Sequence, residues 1–149
     1  MTGGQFSPTT PLDSWAPTAP FGTLEPQFDI CAMAETAGAT FVARSTVANL
    51  KHMAEMIRQG LAHPGMAVIE VISNCHVNYG RRNRHPQAPE MVGWIRECCV
   101  DKEVVEVLPV EALEGKFVTG VLSRRERPEY TRQWQQFVAR FGQDGHGRD

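Results

Sequence analysis

Four things missing from this sequence narrow what it can do. There is no basic surplus: 15 Lys plus Arg stand against 17 Asp plus Glu, for a net charge of -2, so no long-range field draws nucleic acid or an anionic membrane. There is no apolar run near the roughly 20 residues that span a bilayer, and Met1 leads into Thr2, Gly3 and Gly4 rather than a basic and then apolar leader. These two features set the expectation of a cytoplasmic protein without nucleic-acid or membrane partners. There is no Cys-x-x-Cys: Cys31, Cys75, Cys98 and Cys99 are scattered thiols, expected to be reduced and unable to complete a zinc or iron–sulfur site among themselves. Lastly, His52, His63 and His76 fall on separate elements, no Ser/His/Asp or paired-carboxylate set can be assembled, and no catalytic general base is assigned. No internal repeat is visible.

What is present suits one α/β domain. A chain of 149 residues with 42% hydrophobic content can bury a real core. Residues 1–28 carry Gly3, Gly4, Pro8, Pro11, Pro17, Pro20, Gly22 and Pro26, which block helix and central strand alike. This stretch reads as an extended loop or arm whose Phe6, Leu12, Trp15, Phe21, Leu24 and Phe28 want a partner surface. An α/β portion follows over 29–141, and Gly142 to Asp149 reads as a disordered tail.

Within that portion, Asp29 is a good N-cap for a short helix over 29–37, stapled by Phe28 and Met33 and closed by Gly38. Thr40 to Ser45 reads as a strand, and Leu50, Met53, Ile57 and Leu61 line one face of a helix that stops near His63-Pro64-Gly65. Ala67 to Ile72 is nearly unbroken apolar sequence of β-forming type, which predicts a strand covered on both faces. Strand, helix, strand makes a βαβ unit and predicts a parallel sheet. Met91, Trp94, Ile95 and Cys98 mark a further helix, on which Cys98 and Cys99 point apart. Val104 to Leu108 and Lys116 to Leu122 read as edge elements, and Tyr130, Trp134, Phe137, Val138 and Phe141 follow helical spacing after Pro128.

The polar loop 73–89 is long for a connector, and loops of that length in compact domains are usually functional or disordered. Cys75 stands just past Ile72, where parallel α/β sheets gather ligands. A thiolate there can ligate iron, with Ser73, Asn74, His76 and Asn78 able to hydrogen-bond cluster sulfurs; by spacing alone the same cysteine reads as a small packed residue. Thr2-Gly3-Gly4-Gln5 offers backbone N–H groups suited to a phosphate or a cofactor ring; by itself the same stretch reads first as a flexible start. Arg81, Arg82 and Arg84 can clamp a carboxylate or phosphate, meet an acidic protein, or sit in a solvated turn.

Taken in order, Thr2-Gly3-Gly4-Gln5, Ser7-Pro8-Thr9-Thr10-Pro11, Phe21-Gly22, Phe28-Asp29, Ala37-Gly38-Ala39-Thr40-Phe41-Val42-Ala43-Arg44 and Val68-Ile69-Glu70-Val71-Ile72-Ser73-Asn74-Cys75 resemble the thiamine-diphosphate-binding beta subunit of 2-oxoacid:ferredoxin oxidoreductases. Gly80-Arg81-Arg82-Asn83, Thr119-Gly120-Val121-Leu122 and Glu126-Arg127-Pro128-Glu129-Tyr130-Thr131 extend the likeness and resemble the 2-oxoglutarate branch more than the pyruvate branch.

The resemblance implies the carboxy-terminal part of a thiamine-diphosphate-binding fold with a parallel sheet flanked by helices. It implies an enzyme subunit for oxidative decarboxylation of a 2-oxoacid to an acyl-CoA, with electrons passing to ferredoxin. It implies cofactor contact for Thr2, Gly3, Gly4 and Gln5, and it turns Cys75 into a ligand of a [4Fe-4S] cluster. The family's Gly-Asp-Gly segment with its magnesium-binding Asp and Asn, and its Cys-x-x-Cys, precede the part resembled. Thiamine diphosphate, Mg2+ and the cluster are therefore expected to need residues outside this chain. Implied partners are an amino-terminal half of beta, an alpha subunit, ferredoxin, a 2-oxoacid and coenzyme A. The alternative is a non-catalytic interaction module or inactive fragment that retains the fold.

Overall fold

The Asp29 side chain accepts a hydrogen bond from the Ala32 N–H at 3.0 Å and starts α1, Ile30–Thr36, as its capping chemistry predicts. The chain then enters β1, Phe41–Thr46, and Asn49 caps α2, Leu50–Ala62, by accepting from the His52 N–H at 3.1 Å. These and the elements below come from a computed structural model that describes residues 2–143. Strand β2, Ala67–Ile72, pairs parallel with β1 from Phe41 opposite Ala67 to Thr46 opposite Ile72. The expected βαβ unit is therefore present, with α2 as its crossover.

Helix α3, Ala88–Glu97, leads to β3, Cys99–Asp101, then to α4, Lys102–Val105, and α5, Val110–Leu113. Strand β4, Phe117–Arg124, and α6, Tyr130–Gln143, follow. The sheet order is β2-β1-β4-β3. Strand β4 runs antiparallel to β1 and parallel to β3, so the sheet is parallel-dominated but mixed, with helices flanking it. Of the expected tail, Gly142 and Gln143 close α6, and 144–149 lie outside the described residues.

Three expectations need correction. Val104 to Leu108 is no strand: the Asp101 side chain accepts from the Glu103 N–H at 3.0 Å and winds Val104 and Val105 into α4. The strand expected over Lys116 to Leu122 forms, but it lies between β1 and β3 rather than at an edge. The strand covered on both faces is β1, every residue of which is buried; β2 lies at the edge of the sheet with its side chains only half-buried. Periodicity alone could not tell these two apart, because both are short apolar runs. In addition, Cys98 caps α3 and Cys99 opens β3, so the two thiols part at a helix end rather than within a helix.

Successive side chains of β1 serve opposite faces. Val42 packs with Cys31, Ala34 and Ala39 under α1, whereas Phe41 and Ala43 pack with Met56 of α2. A third cluster of Tyr79, Met91 and Ile95 holds α3 against the loop that follows β2.

Arg44 lies on the α1 side of β1, 7% exposed. Its Nε donates to Glu70 Oε2 and its Nη2 to Asp29 Oδ1, each at 2.6 Å, while Nη1 reaches the Val118 carbonyl at 3.4 Å. One guanidinium thus joins β1, β2, β4 and the cap of α1. Removing one partner from a buried ion pair leaves an uncompensated charge, which costs about 3 kcal/mol or more. Arg44→Leu is expected to lower stability by that order, read as a shift in denaturation midpoint beside the unsubstituted chain, and a loss under about 0.5 kcal/mol would place the trio among solvated surface pairs.

Candidate cofactor and cluster site

The arm contains no helix beyond a single tight turn, so its place depends on side chains reaching it from elsewhere. That turn, Thr2–Gly4, has Gly3 at φ 64° and Gly4 at φ 79°, two successive left-handed residues that only glycine adopts freely. Gly4 is buried; a Cβ on it would stand 2.9 Å from Pro17 Cγ and 3.6 Å from Asn78 Oδ1. The glycine turn is thereby pressed against the segment that carries Cys75.

That segment is more ordered than the expected polar loop. After Cys75 the chain makes one π-helical turn, His76–Gly80, in which the Gly80 N–H bonds the Cys75 carbonyl at 2.9 Å and the Arg81 N–H bonds that of His76 at 3.0 Å. Single π turns occur frequently at functional sites and have no residue signature to betray them. Gly80 is required here, because a Cβ would stand 2.1 Å from the His85 carbonyl oxygen. The Asn83 carboxamide then reads both backbone groups of Trp15, accepting from its N–H at 2.8 Å and donating to its carbonyl at 3.0 Å. Buried Tyr79 meets Ser14 through their hydroxyls at 3.0 Å, and burial raises the Tyr79 pKa. Sequence reading missed Tyr79, Ser14 and the Asn83 lock, all of which act across more than sixty positions of chain.

Between the arm and the carboxyl end of β2 lies a cleft of about 580 Å³. Gln5 lines it from the arm, Ser73 and Cys75 from the end of β2, and Tyr79 and Trp94 from behind. The structure therefore brings Gln5 and Cys75 to one cleft, with Gly3 and Gly4 in the turn that leads into it and Thr2 opening that turn. Arg81 is exposed and lines no part of it; Arg82 and Arg84 lie elsewhere on the same loop.

The four thiols differ in character. Burial pushes the Cys31 thiol up to about 12, against the pull of Arg44, and the Cys99 thiol up to about 11. Cys98 is raised by burial as well. At Cys75, burial opposes the thiolate while hydrogen bonds from the backbone of Tyr79 and Asn78 favour it, and the net is a pKa below the usual thiol value. Among the described residues, Asp29, Cys31 and Glu70 have potential ligand atoms within 4.8 Å of one another, but Arg44 already bonds both carboxylates. That cluster is an ion-pair centre and does not fit Mg2+.

Residues 1–71 match the family of thiamine pyrophosphate enzymes, C-terminal TPP binding domain. The chain is 38% identical over 141 residues to the 2-oxoglutarate synthase subunit KorB of Methanocaldococcus jannaschii, covering 95% of this chain and 52% of the relative. It is 39% identical over 129 residues to that of Methanothermobacter marburgensis, covering 87% and 45%. A solved 2-oxoglutarate:ferredoxin oxidoreductase from Magnetococcus marinus superposes with a TM-score of 0.71 at 27% identity, covering 98% of this chain and 50% of that one. The chain is similar to the beta subunits of 2-oxoacid:ferredoxin oxidoreductases. It spans about half the length of the curated relatives it matches, and the match falls on the carboxy-terminal part of that beta subunit.

Near pH 8, Cys75 is expected to be alkylated before Cys31, Cys98 and Cys99, because the thiolate is the reactive form. Peptide mass spectrometry after brief iodoacetamide treatment checks the order, and first labelling at Cys31 or Cys99 would contradict it.

Proposed function

We propose that this chain forms the carboxy-terminal portion of the beta subunit of a 2-oxoacid:ferredoxin oxidoreductase, with 2-oxoglutarate as the substrate. In this reading it takes part in oxidative decarboxylation to an acyl-CoA, with electrons leaving through iron–sulfur centres to ferredoxin. The observation that carries the reading is the shared cleft, where Gln5 beside the glycine turn and Cys75 at the end of β2 face the same space. The M. marinus neighbour was solved with 2-oxoglutarate, coenzyme A and succinyl-CoA bound, which supports the choice of substrate and acyl acceptor.

Thr2, Gly3, Gly4 and Gln5 would hold thiamine diphosphate: a left-handed double-glycine turn leaves its N–H groups unobstructed by Cβ atoms and ends on an amide side chain in the cleft. When bound, that cofactor stabilises the carbanion left by decarboxylation and the cluster carries single electrons. This chain's own contribution is to bind, to orient and to exclude water through the wall of Tyr79 and Trp94. Cys75 fits as one thiolate of a [4Fe-4S] cluster, which takes about four. The other thiolates and the Mg2+ ligands would come from an amino-terminal half of beta, and an alpha subunit would complete the assembly. Half-buried edge strand β2 and the exposed Phe21 and Leu24, 94% and 85% accessible, support such covering polypeptide. A cytoplasmic location goes with this reading and with four cysteines of which none is in a disulfide.

The same exposed apolar side chains favour a second reading, a non-catalytic module that docks a partner. Iron separates the two. In the assembled oxidoreductase, Cys75→Ala is expected to strip cluster iron and the visible absorbance it gives while thiamine diphosphate content stays within about twofold. An assembly that holds no iron to begin with favours the docking module, and full iron retention by the variant rules Cys75 out as a ligand.

A further inference from the structure

Every residue of α6 from Tyr130 to Phe141 is exposed, and none belongs to the three packed clusters. The helix is nonetheless two-sided. Tyr130, Trp134, Phe137 and Phe141 recur at intervals of four, three and four and so share one face, with Val138 beside them. The rings of Trp134 and Phe137 stand 5.7 Å apart and those of Phe137 and Phe141 4.5 Å apart, which makes a continuous aromatic stripe roughly 17 Å long at about 1.5 Å per residue. Contiguous apolar surface of this kind marks a contact with another molecule.

Charge adjoins the stripe. Where β4 hands over to α6 the chain forms a pocket of about 330 Å³, lined by the guanidiniums of Arg124, Arg125, Arg127 and Arg132 against the carboxylates of Glu126 and Glu129. Most of the positive charge is unspent: Arg125 pairs with Glu35, but the side chains of Arg124, Arg127 and Arg132 make no hydrogen bond or ion pair among the described residues. The Glu129 carboxylate is turned to the start of α6, where it accepts from the N–H groups of Thr131 at 2.8 Å and Arg132 at 3.0 Å. Gln133 also lines the pocket and lies one turn before Phe137, so basic pocket and aromatic stripe are neighbours on the helix surface.

The two features together select what covers them. A helix lying on an anionic membrane spreads its cations along the polar face; here they gather at one end, in a concavity shared with two acids, and Gln133, Gln135 and Gln136 fill the polar face. A second copy of the chain would lay arginine against arginine, because α6 contains Arg132 and Arg140 and no acid. A small anion would use the pocket and leave the stripe in water. A segment that carries carboxylates beside apolar side chains uses both.

We propose that α6 and the arginine pocket dock an acidic amphipathic helix of a partner polypeptide, its apolar face on Trp134, Phe137 and Phe141 and its carboxylates on Arg124, Arg127 and Arg132. This surface shares no lining residue with the first cleft, and the docking holds whether or not Cys75 ligates iron.

The test titrates the full chain with labelled helical peptides of about 20 residues and reads fluorescence anisotropy. One peptide sets leucine at every third and fourth position with glutamate between, a second replaces each glutamate by lysine, and a third keeps glutamate and replaces each leucine by serine. The leucine and glutamate peptide is expected to bind, and the other two to bind about tenfold more weakly or worse. The same loss is expected for the first peptide with Arg127→Gln plus Arg132→Gln and with Trp134→Ala plus Phe137→Ala, all of them exposed side chains whose replacement leaves the melting midpoint in place. Equal binding of the lysine peptide shows a merely sticky stripe and overturns the docking without reference to any variant. Uptake of the chain by phosphatidylglycerol vesicles with no affinity for the acidic peptide makes α6 a membrane helix, and dimerisation abolished by Trp134→Ala plus Phe137→Ala with no such affinity makes it a self-contact; either result overturns the docking. If the chain does not stay in solution by itself, Phe137→p-benzoylphenylalanine in the assembled protein decides. Light is expected to join it to an acidic helical segment of a partner, and an adduct to a basic segment, to another copy of the chain or to nothing overturns the docking.

Discussion

Everything at the site depends on one hydrogen-bonded splice, in which the Asn83 carboxamide takes the place of a neighbouring strand for Trp15. The arm is built from proline, glycine, serine and threonine, and its few internal bonds, such as Ala16 with Ala19 and Phe28 with Pro8, fix turns rather than a location. Location comes from outside: Asn83 holds both backbone groups of Trp15, Tyr79 reaches Ser14, and Gly4 packs beside Asn78. All three partners belong to the segment that follows Cys75. The turn proposed to contact the cofactor and the expected cluster ligand are thus not two sites that happen to be close. They are positioned by the same few residues, and displacing the π turn moves both.

Beneath that splice, the sheet supplies rigidity through a charge it could not leave unpaired. Arg44 is buried in the middle of β1, and the low-dielectric surroundings make its partners obligatory rather than optional. Glu70 of β2 and Asp29 before α1 provide them, and Glu70 also lines the first cleft. The ion-pair centre therefore fixes the register of the strand whose carboxyl end presents Ser73 and Cys75. It also explains why Cys31, although nearest to two carboxylates, is an inert thiol: burial raises its pKa and Arg44 already satisfies the acids.

Much of this was legible in the sequence where chemistry is local. The capping of α1 by Asp29, the βαβ unit and the helix over Tyr130 to Phe141 all follow from short-range patterns. The ordered match of Thr2-Gly3-Gly4-Gln5 and Cys75 to one family sets the expectation that they serve one site, and the structure brings Gln5 and Cys75 to one cleft. What could not be read is long-range. Nothing local says that β1 rather than β2 is central, because that is decided by β4 arriving antiparallel from more than seventy positions away. Nothing local says that Asn83 bonds Trp15, and a π turn has no pattern to recognise. Asp101 is the opposite case: its capping chemistry is local, and a reading of Val104 to Leu108 by residue type alone does not take it into account.

The exposed apolar surface fits the same picture. A folded chain of this size rarely leaves side chains like Phe21, Leu24, Leu61, Trp134 and Phe141 largely in water. They lie on the arm, on α2 and on α6, away from the three packed clusters. Meanwhile the arm's buried positions are filled by Thr10, Ser14, Ala16, Ala19 and Thr23, small residues whose polar members are all hydrogen-bonded. The large residues are thus not failures of the arm to pack; the arm packs inward with small groups and presents its bulk outward. That distribution is what an interface looks like from one side, and on the proposed reading the arm is a layer between this domain and the polypeptide that covers it, with the glycine turn held at the seam.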